Sequence, residues 1–134
     1  MQVLFYHIVC PAKYRKIVLL AEVDKTIKET RIEISKRYEI HFVETGTDKD
    51  HMHFLVQSAP TFSPTKIVRT IKSNTVHEVF RQIPSVKKEL RGGELWTDGY
   101  YINTVSKCGD EDVARQYVKK QGTEGNYDQL HSSS

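Results

Sequence analysis

Residues 40–57 read IHFVETGTDKDHMHFLVQ, two short runs of strand-forming residues around a turn-rich centre. The runs cover 40–44 and 51–57, where β-branched, aromatic and aliphatic side chains predominate. The intervening segment, 45–50, is rich in Thr, Gly and Asp, which favour turns. We interpret the stretch as a β-hairpin and place the rest of the chain around it.

A strand and a helix are predicted before the hairpin. Residues 3–9 are almost continuously β-branched, aromatic or aliphatic, and Pro11 follows them, which predicts a buried strand. From Leu20 to Tyr38, apolar residues recur at helical spacing, while lysines and glutamates occupy the other positions. This pattern predicts an amphipathic helix that ends near Tyr38.

A second helix and a last strand are predicted after the hairpin. Ser63 is a suitable N-cap and Pro64 a suitable first helical residue, and an apolar stripe follows them up to Pro84. Lysines and glycines then form a basic connector over 87–93. Residues 95–105 are rich in Trp, Tyr, Ile, Thr and Val, which predicts the last strand.

Acidic residues at 110–112 precede a further short helix, predicted over 113–121. The order is therefore βαββαβ with an additional C-terminal helix that carries Tyr117. We predict the α+β class, with a ferredoxin-like antiparallel sheet and its helices on one face. Residues 1–122 are predicted to form the single domain, and 123–134 a flexible tail.

Composition narrows the class of protein. The 134 residues suit one domain, and 38% hydrophobic with 10% aromatic residues indicates a packed core. The net charge of +3 permits an anionic partner without establishing one. Cys10 and Cys108 form no CxxC pair, so neither a thiolate metal cluster nor a disulfide framework is expected. Because no apolar run approaches the roughly 20 residues of a membrane span and no signal-peptide pattern is present, we expect a cytoplasmic protein without a membrane partner.

Two histidines in the hairpin are the first candidates for chemistry. Alternation along a strand places His51 and His53 on one face and Met52 on the other. Neutral imidazole nitrogens are common ligands for divalent metal ions. A chance pair of histidines without a metal is the alternative, and a third ligand would decide between the two.

Tyr117 and Gln121 lie four residues apart in the last predicted helix and therefore share a face. A phenol and an amide would point together. The alternatives are a tyrosine packed in the core and a solvated glutamine.

Several segments match the motifs of one family in order. They are Tyr6-His7-Ile8-Val9, Lys13-Tyr14-Arg15-Lys16, Asp50-His51-Met52-His53-Phe54-Leu55-Val56, Ser63-Pro64-Thr65-Lys66-Ile67-Val68, Leu95-Trp96-Thr97-Asp98-Gly99-Tyr100-Tyr101 and Tyr117-Val118-Lys119-Lys120-Gln121. The chain resembles, over nearly the whole domain, the single-tyrosine HUH transposases of the smallest bacterial and archaeal insertion sequences, the two-hundred/six-hundred-five class.

The resemblance implies a role for each of four residues. Tyr117 corresponds to the nucleophile, and Tyr127 in the tail is the alternative tyrosine. His51 and His53 correspond to the metal-binding histidines, and Gln121 to the third ligand. The resemblance thus implies a site for Mg²⁺ or Mn²⁺ that leaves room for a DNA phosphate oxygen.

The same resemblance implies the reaction and the partners. The enzyme is expected to cleave and rejoin single-stranded DNA at transposon-end hairpins through a 5′-phosphotyrosine, without ATP. Since related transposases work as dimers, a homodimer is expected, with the tyrosine helix of one subunit in the histidine site of the other. Basic residues are the candidates for DNA contact, although a solvated helix face is the alternative for each cluster: Lys13, Arg15, Lys16, Lys66, Arg69, Lys72, Lys87, Lys88 and Arg91.

Three other functions remain open. A ferredoxin-like sheet rich in aromatic residues could bind single-stranded nucleic acid without cleaving it. A domesticated relative would process genomic hairpin repeats by the same chemistry. A metal-dependent hydrolase would use water and would need His51 and His53 but not Tyr117.

Overall fold

The computed structural model describes residues 4–18, 20–48, 50–91 and 93–106 of the chain. These residues form four strands and four helices. They are β1 (Leu4–Pro11), α1 (Arg15–Val18), α2 (Ala21–Tyr38), β2 (His41–Asp48), β3 (His51–Ser58), α3 (Pro64–Gln82), α4 (Pro84–Glu89) and β4 (Tyr101–Ser106). The predicted helix over 113–121, the domain boundary at 122 and the tail lie outside the described residues.

The strands form one sheet in the order β2-β3-β1-β4, and every neighbouring pair is antiparallel. The predicted antiparallel sheet and the order of its main elements are therefore confirmed. Because β3 and β1 lie in the centre, their side chains have strands on both sides. Groups on these two strands are consequently held more rigidly than groups on the edges.

The long helices pack on one face of the sheet. Val23, Ile27 and Ile34 of α2 and Ile67 and Ile71 of α3 are buried in the main hydrophobic core, as the helical spacing predicts. None of the helices in the described ranges is both long and apolar enough to cross a membrane.

The start of α3 confirms the predicted cap. The Ser63 side chain accepts a hydrogen bond of 3.1 Å from the Lys66 backbone N–H, and Pro64 is the first helical residue. An N-cap of this kind stabilises a helix by about 1 kcal/mol. Pro84 marks the end of α3 as expected, but it also begins α4, so the first three of the seven residues of the predicted basic connector are helical.

The last strand is shorter than predicted, since β4 begins at Tyr101 rather than at residue 95. Trp96 instead forms an isolated bridge with Ala12, and its indole N–H donates a hydrogen bond of 3.0 Å to Thr75 Oγ1. The segment from 95 to 100 is therefore a loop anchored by a buried tryptophan. Strand-forming residues are used here for packing on α3 rather than for pairing.

Strand β2 is longer than predicted and contains a bulge. The predicted turn over 45–50 is in fact mostly strand, because β2 continues to Asp48. Phe42 pairs with Val56 but Glu44 pairs with Leu55, so Val43 is an extra residue in the ladder. From Glu44 onward, each residue of β2 therefore pairs one position away from where it would pair on β3 without the bulge.

The other face of the sheet carries a second, smaller apolar cluster. Its buried members are Phe5, Val9 and Leu55, all of which are strand residues. The described helices contribute their buried apolar residues to the main core instead. This second face is where the candidate chemistry lies.

Candidate functional site

His51 and His53 lie on the second face of the sheet, on the central strand β3. Met52, between them, is buried in the main core, so the predicted alternation is confirmed. His51 is completely buried and His53 is partly buried. Two imidazoles are thus fixed side by side on a strand that is paired on both edges.

Two carboxylates flank the His51 ring. Its Nδ1 lies 3.3 Å from Oδ1 of Asp50, and its Nε2 lies 3.9 Å from Oδ2 of Asp48. Asp48 pairs with His51 across the hairpin, so the backbone register determines this approach. A carboxylate beside one ring nitrogen fixes the tautomer of an imidazole and makes the other nitrogen a better metal ligand.

His53 lies between a glycine and a second histidine. Gly46 pairs with it on β2, and a Cβ atom at Gly46 would collide with Nε2 of the His53 ring. On the β1 side, the His7 ring meets the His53 ring edge to face, with centroids 6.0 Å apart. The ring of His53 is therefore confined from both neighbouring strands.

The protonation state of His53 suits metal binding. Burial, together with the nearby His51, lowers the pKa of His53 to about 4, although the Asp48 carboxylate opposes this shift. The ring is therefore neutral at pH 7 and keeps a nitrogen lone pair for a cation. Nitrogen ligands with carboxylates beside them fit a borderline or hard divalent ion.

The described residues provide only part of a metal site. Within the described ranges, no group of three or more His, Cys, Asp or Glu side chains is arranged to hold a metal ion. His51 and His53 would supply two ligands. The predicted third ligand, Gln121, and the predicted nucleophile, Tyr117, lie outside the described residues.

His7 shares this face of the sheet, where the sequence admits both a histidine that lines the site and an ordinary strand histidine and favours the second. It is fully buried, and burial with the neighbouring His53 and His51 lowers its pKa to about 3. Gly46 and Asp48 were missed, because both were assigned to the predicted turn. The signal that could have placed them is the hairpin register, which a bulge obscures.

A groove of about 840 Å³ lies between α3 and the loop that carries Trp96. Three of the predicted DNA-binding residues, Arg69, Lys72 and Lys87, line it together. Arg81 also lines it and was missed by the sequence analysis, although Glu78 accepts a hydrogen bond of 2.7 Å from its guanidinium.

Aromatic and apolar side chains line the same groove, among them Phe80, Trp96 and Tyr100. Lys72 joins the two sides of the groove, because its ammonium donates hydrogen bonds of 2.8 and 2.9 Å to the carbonyl oxygens of Thr97 and Gly99. The Lys72 Nζ atom also lies 5.5 Å from the centre of the Tyr100 ring. Lys72 is therefore a structural anchor as well as a charge in the groove.

The other predicted DNA-binding residues whose side chains the structure describes do not line this groove. Lys66 is exposed and lies 4.9 Å from the centre of the Phe62 ring. Lys13, Lys16, Lys88 and Arg91 are exposed at other positions. The side chain of Arg15 lies outside the described part of the chain.

Known proteins match the chain over most of its length. The ISDra2 transposase TnpA of Deinococcus radiodurans is 29% identical over 116 residues, which is 87% of this chain and 82% of that protein. The transposase for insertion sequence element IS200 of Salmonella typhimurium is 26% identical over 116 residues, which is 87% of this chain and 75% of that protein.

Solved structures share the fold. A transposase from Deinococcus radiodurans R1 superposes with a TM-score of 0.69 at 27% identity, over 90% of this chain and 92% of that one. A REP-associated tyrosine transposase bound to a REP hairpin superposes with a TM-score of 0.57 at 12% identity, over 88% of this chain and 64% of that one. The second likeness concerns the fold alone.

A family model described as "Transposase IS200 like" matches residues 1–121, which is nearly the whole chain. The chain therefore belongs to the IS200-like transposase family.

Proposed function

We propose that this transposase cleaves and rejoins single-stranded DNA at transposon-end hairpins through a 5′-phosphotyrosine on Tyr117. The observation that carries the proposal is the pair His51 and His53 on central strand β3, in a chain whose family match extends through residue 121. The matched range includes the positions of both Tyr117 and Gln121. No nucleotide-binding loop is needed, because one phosphodiester is exchanged for another of similar energy.

The proposed site holds Mg²⁺ or Mn²⁺ through His51, His53 and Gln121. When bound, such an ion supplies Lewis-acid chemistry at the scissile phosphate. Asp50, whose Oδ1 lies 3.3 Å from Nδ1 of His51, helps to orient the His51 ring, and burial keeps the His53 ring neutral. The His53 ring is thus ready to act as a ligand without first losing a proton.

Tyr117 is proposed to attack the scissile phosphorus in line. A bond forms between the phenolic oxygen and phosphorus, the bond from phosphorus to the 3′ oxygen breaks, and that oxygen leaves as a 3′-hydroxyl after taking up a proton. The attached strand carries a 5′-phosphotyrosine. Attack by another 3′-hydroxyl reverses the step and releases the phenol, so the strands are rejoined.

The groove beside α3 is the surface proposed to bind hairpin DNA. Arg69, Lys72 and Lys87 provide positive charge for phosphates, while the aromatic side chains provide faces for unpaired bases. Groove and histidines lie on opposite sides of the sheet, since α3 packs on the face that His51 and His53 do not share. DNA binding and cleavage are therefore proposed to use separate surfaces.

A homodimer with composite sites is proposed as the active assembly. In it, Tyr117 of one subunit serves the histidines of the other. This arrangement is part of the proposal because the family that the chain resembles works as dimers, with the tyrosine helix of one subunit in the histidine site of the other.

The test is covalent attachment to hairpin DNA. Single-stranded DNA labelled at its 3′ end is incubated with Mn²⁺ and the wild-type, Tyr117→Phe, Tyr127→Phe or His51→Ala protein, and the products are separated on a denaturing gel. A 3′ label is required because a 5′-phosphotyrosine retains the downstream fragment. The proposal expects labelled protein from the wild type and from Tyr127→Phe, and none from the other two variants.

Two outcomes would contradict the proposal in different ways. Binding without any adduct or cut strand would indicate a non-catalytic DNA-binding protein. Cleavage that persists in Tyr117→Phe and leaves a free 5′-phosphate would indicate a hydrolase that uses water.

A further inference from the structure

We infer that Gly46 is a positioning residue for His53: the absence of a side chain at this point of β2 allows the imidazole to lie across the neighbouring strand. The inference rests on the proposed metal site, because it names what holds one of its ligands. Its structural part can also be tested without metal.

A side chain at position 46 would clash with the ring of His53. A Cβ atom built on Gly46 would collide with Nε2 of His53, and it would lie only 3.1 Å from Cε1 and 3.2 Å from Cδ2. All three atoms belong to the imidazole ring, so the ring itself occupies the space that any other residue would fill. Any side chain at position 46 must therefore displace the ring of His53 or the strand beneath it.

The pairing register between β2 and β3 determines which residue lies opposite His53. Phe42 pairs with Val56, and without a bulge that register would place residue 45 opposite His53. The extra residue in β2, Val43, shifts the pairing so that Gly46 lies opposite His53 instead. The bulge thus places the one residue type that leaves room for the ring at the required position.

The His53 ring has little space in which to move away from Gly46. The His7 imidazole lies edge to face with His53 on the β1 side, at 6.0 Å between centroids and 77° between planes. Gly46 and His7 therefore confine the ring from opposite neighbouring strands. A displaced ring would meet His7, so the clash at residue 46 has little space in which to be relieved.

The consequence is a defined direction for the ring nitrogens of His53. A histidine ligand must direct a ring nitrogen lone pair at the metal ion, so a rotated or displaced ring binds the ion less tightly. Substitutions in the shell around metal ligands typically reduce metal affinity by roughly 10- to 100-fold. We expect Gly46→Ala to fall in that range.

The experiment is a double-mutant cycle on Gly46→Ala, His53→Ala and the combined variant. Gly99→Ala is the matched control, because the nearest atom to a Cβ at Gly99 lies 3.9 Å away. Stability is measured by urea unfolding in metal-free protein. The ring Cε1–H resonance of His53, assigned by its loss in His53→Ala, is followed by NMR with and without Mn²⁺, and Mn²⁺ affinity is taken from its paramagnetic broadening.

We expect Gly46→Ala to reduce the folding equilibrium constant by roughly 10-fold or more and to shift the His53 resonance, but to have little effect when residue 53 is alanine. Weaker Mn²⁺ broadening in Gly46→Ala, with normal broadening in Gly99→Ala, is also expected. If Gly46→Ala does not fold, recovery of folding in the combined variant supports the inference, and continued failure overturns it.

The inference is overturned if Gly46→Ala leaves the His53 resonance unchanged, or if it destabilises the protein equally in both backgrounds. Failure of the proposed function gives a different result, which is the absence of Mn²⁺ broadening in the wild type. In that case the metal-free cycle still decides whether Gly46 positions the ring.

Discussion

The imidazoles of His7 and His53 lie edge to face across β1 and β3, with their ring centroids 6.0 Å apart. Burial is the main reason that both rings are neutral, since it lowers the pKa of His7 to about 3 and that of His53 to about 4. The nearby His53 and His51 lower the pKa of His7 further, and the nearby His51 lowers that of His53. The imidazoles of His7 and His53 are therefore uncharged at pH 7.

Stability is expected to fall in mild acid because of these histidines. Below pH 6.5 the unfolded chain binds protons on both rings. In the folded protein, His53 is protonated only near pH 4 and His7 only near pH 3. The free energy of unfolding therefore decreases as pH falls through this window. Replacing His7 with Gln should reduce the loss between pH 6.5 and 5 by up to about 2 kcal/mol, as measured by urea unfolding. The control is Ser73→Ala, which changes an exposed side chain that does not ionise in this pH range and should leave the pH dependence unchanged.

The hydrogen bond from Trp96 to Thr75 is expected to stabilise the loop between α4 and β4. Thr75→Val retains the shape of the side chain but leaves the buried indole N–H without its acceptor, so we expect a loss of about 1–3 kcal/mol in the free energy of unfolding. Thr30→Val is the matched control, because Thr30 is also buried and donates to the carbonyl four residues earlier, as Thr75 does. Equal losses in the two variants would show that the indole contact contributes nothing measurable.

Substitutions of Lys72 and of Arg69 are expected to differ in their effects on stability and on DNA binding. Both line the groove, but only Lys72 is hydrogen-bonded to the loop, at Thr97 and Gly99. Lys72→Met should lower stability and hairpin affinity together, whereas Arg69→Met should lower affinity alone. Fluorescence anisotropy over a KCl series measures affinity, and each lost phosphate contact should reduce the salt slope by about 1. An unchanged salt slope in both variants would place the DNA elsewhere.

The proposed composite dimer predicts complementation between two inactive proteins. Mixed dimers of His51→Ala and Tyr117→Phe contain one site with intact histidines and an intact tyrosine, provided that the tyrosine acts on the other subunit. An equal mixture should recover roughly a quarter of the wild-type adduct, since half of the dimers are mixed and each has one of two sites. If the tyrosine acts within its own subunit, the mixture stays inactive. Each variant alone is the control.

Much of the fold follows from local patterns. The helical spacing of α2, the cap at Ser63 and the alternation around Met52 each depend on a few neighbouring residues, and all three are confirmed. The loop from 95 to 100 was predicted as strand because its composition favours β-structure. Packing of Trp96 on Thr75 prevails there, and that contact joins residues far apart in the sequence.

The candidate site was predicted only in part, because part of it depends on pairing between strands. Strand alternation alone is enough to place His51 and His53 on one face. Gly46 and Asp48 do not, because their residue types favour turns and only the bulge at Val43 places them opposite the histidines. Roles for Tyr117 and Gln121 remain predictions from the family resemblance.

The most direct measurement is the identity of the residue that carries DNA after reaction. Trypsin separates the two C-terminal tyrosines, because cleavage at Arg115 and Lys119 isolates Tyr117 from Tyr127. After nuclease trimming of the covalent complex, mass spectrometry should find the nucleotide on residues 116–119. A nucleotide on the peptide that contains Tyr127, or cleaved DNA with no modified peptide, would contradict the assignment of Tyr117 as the nucleophile.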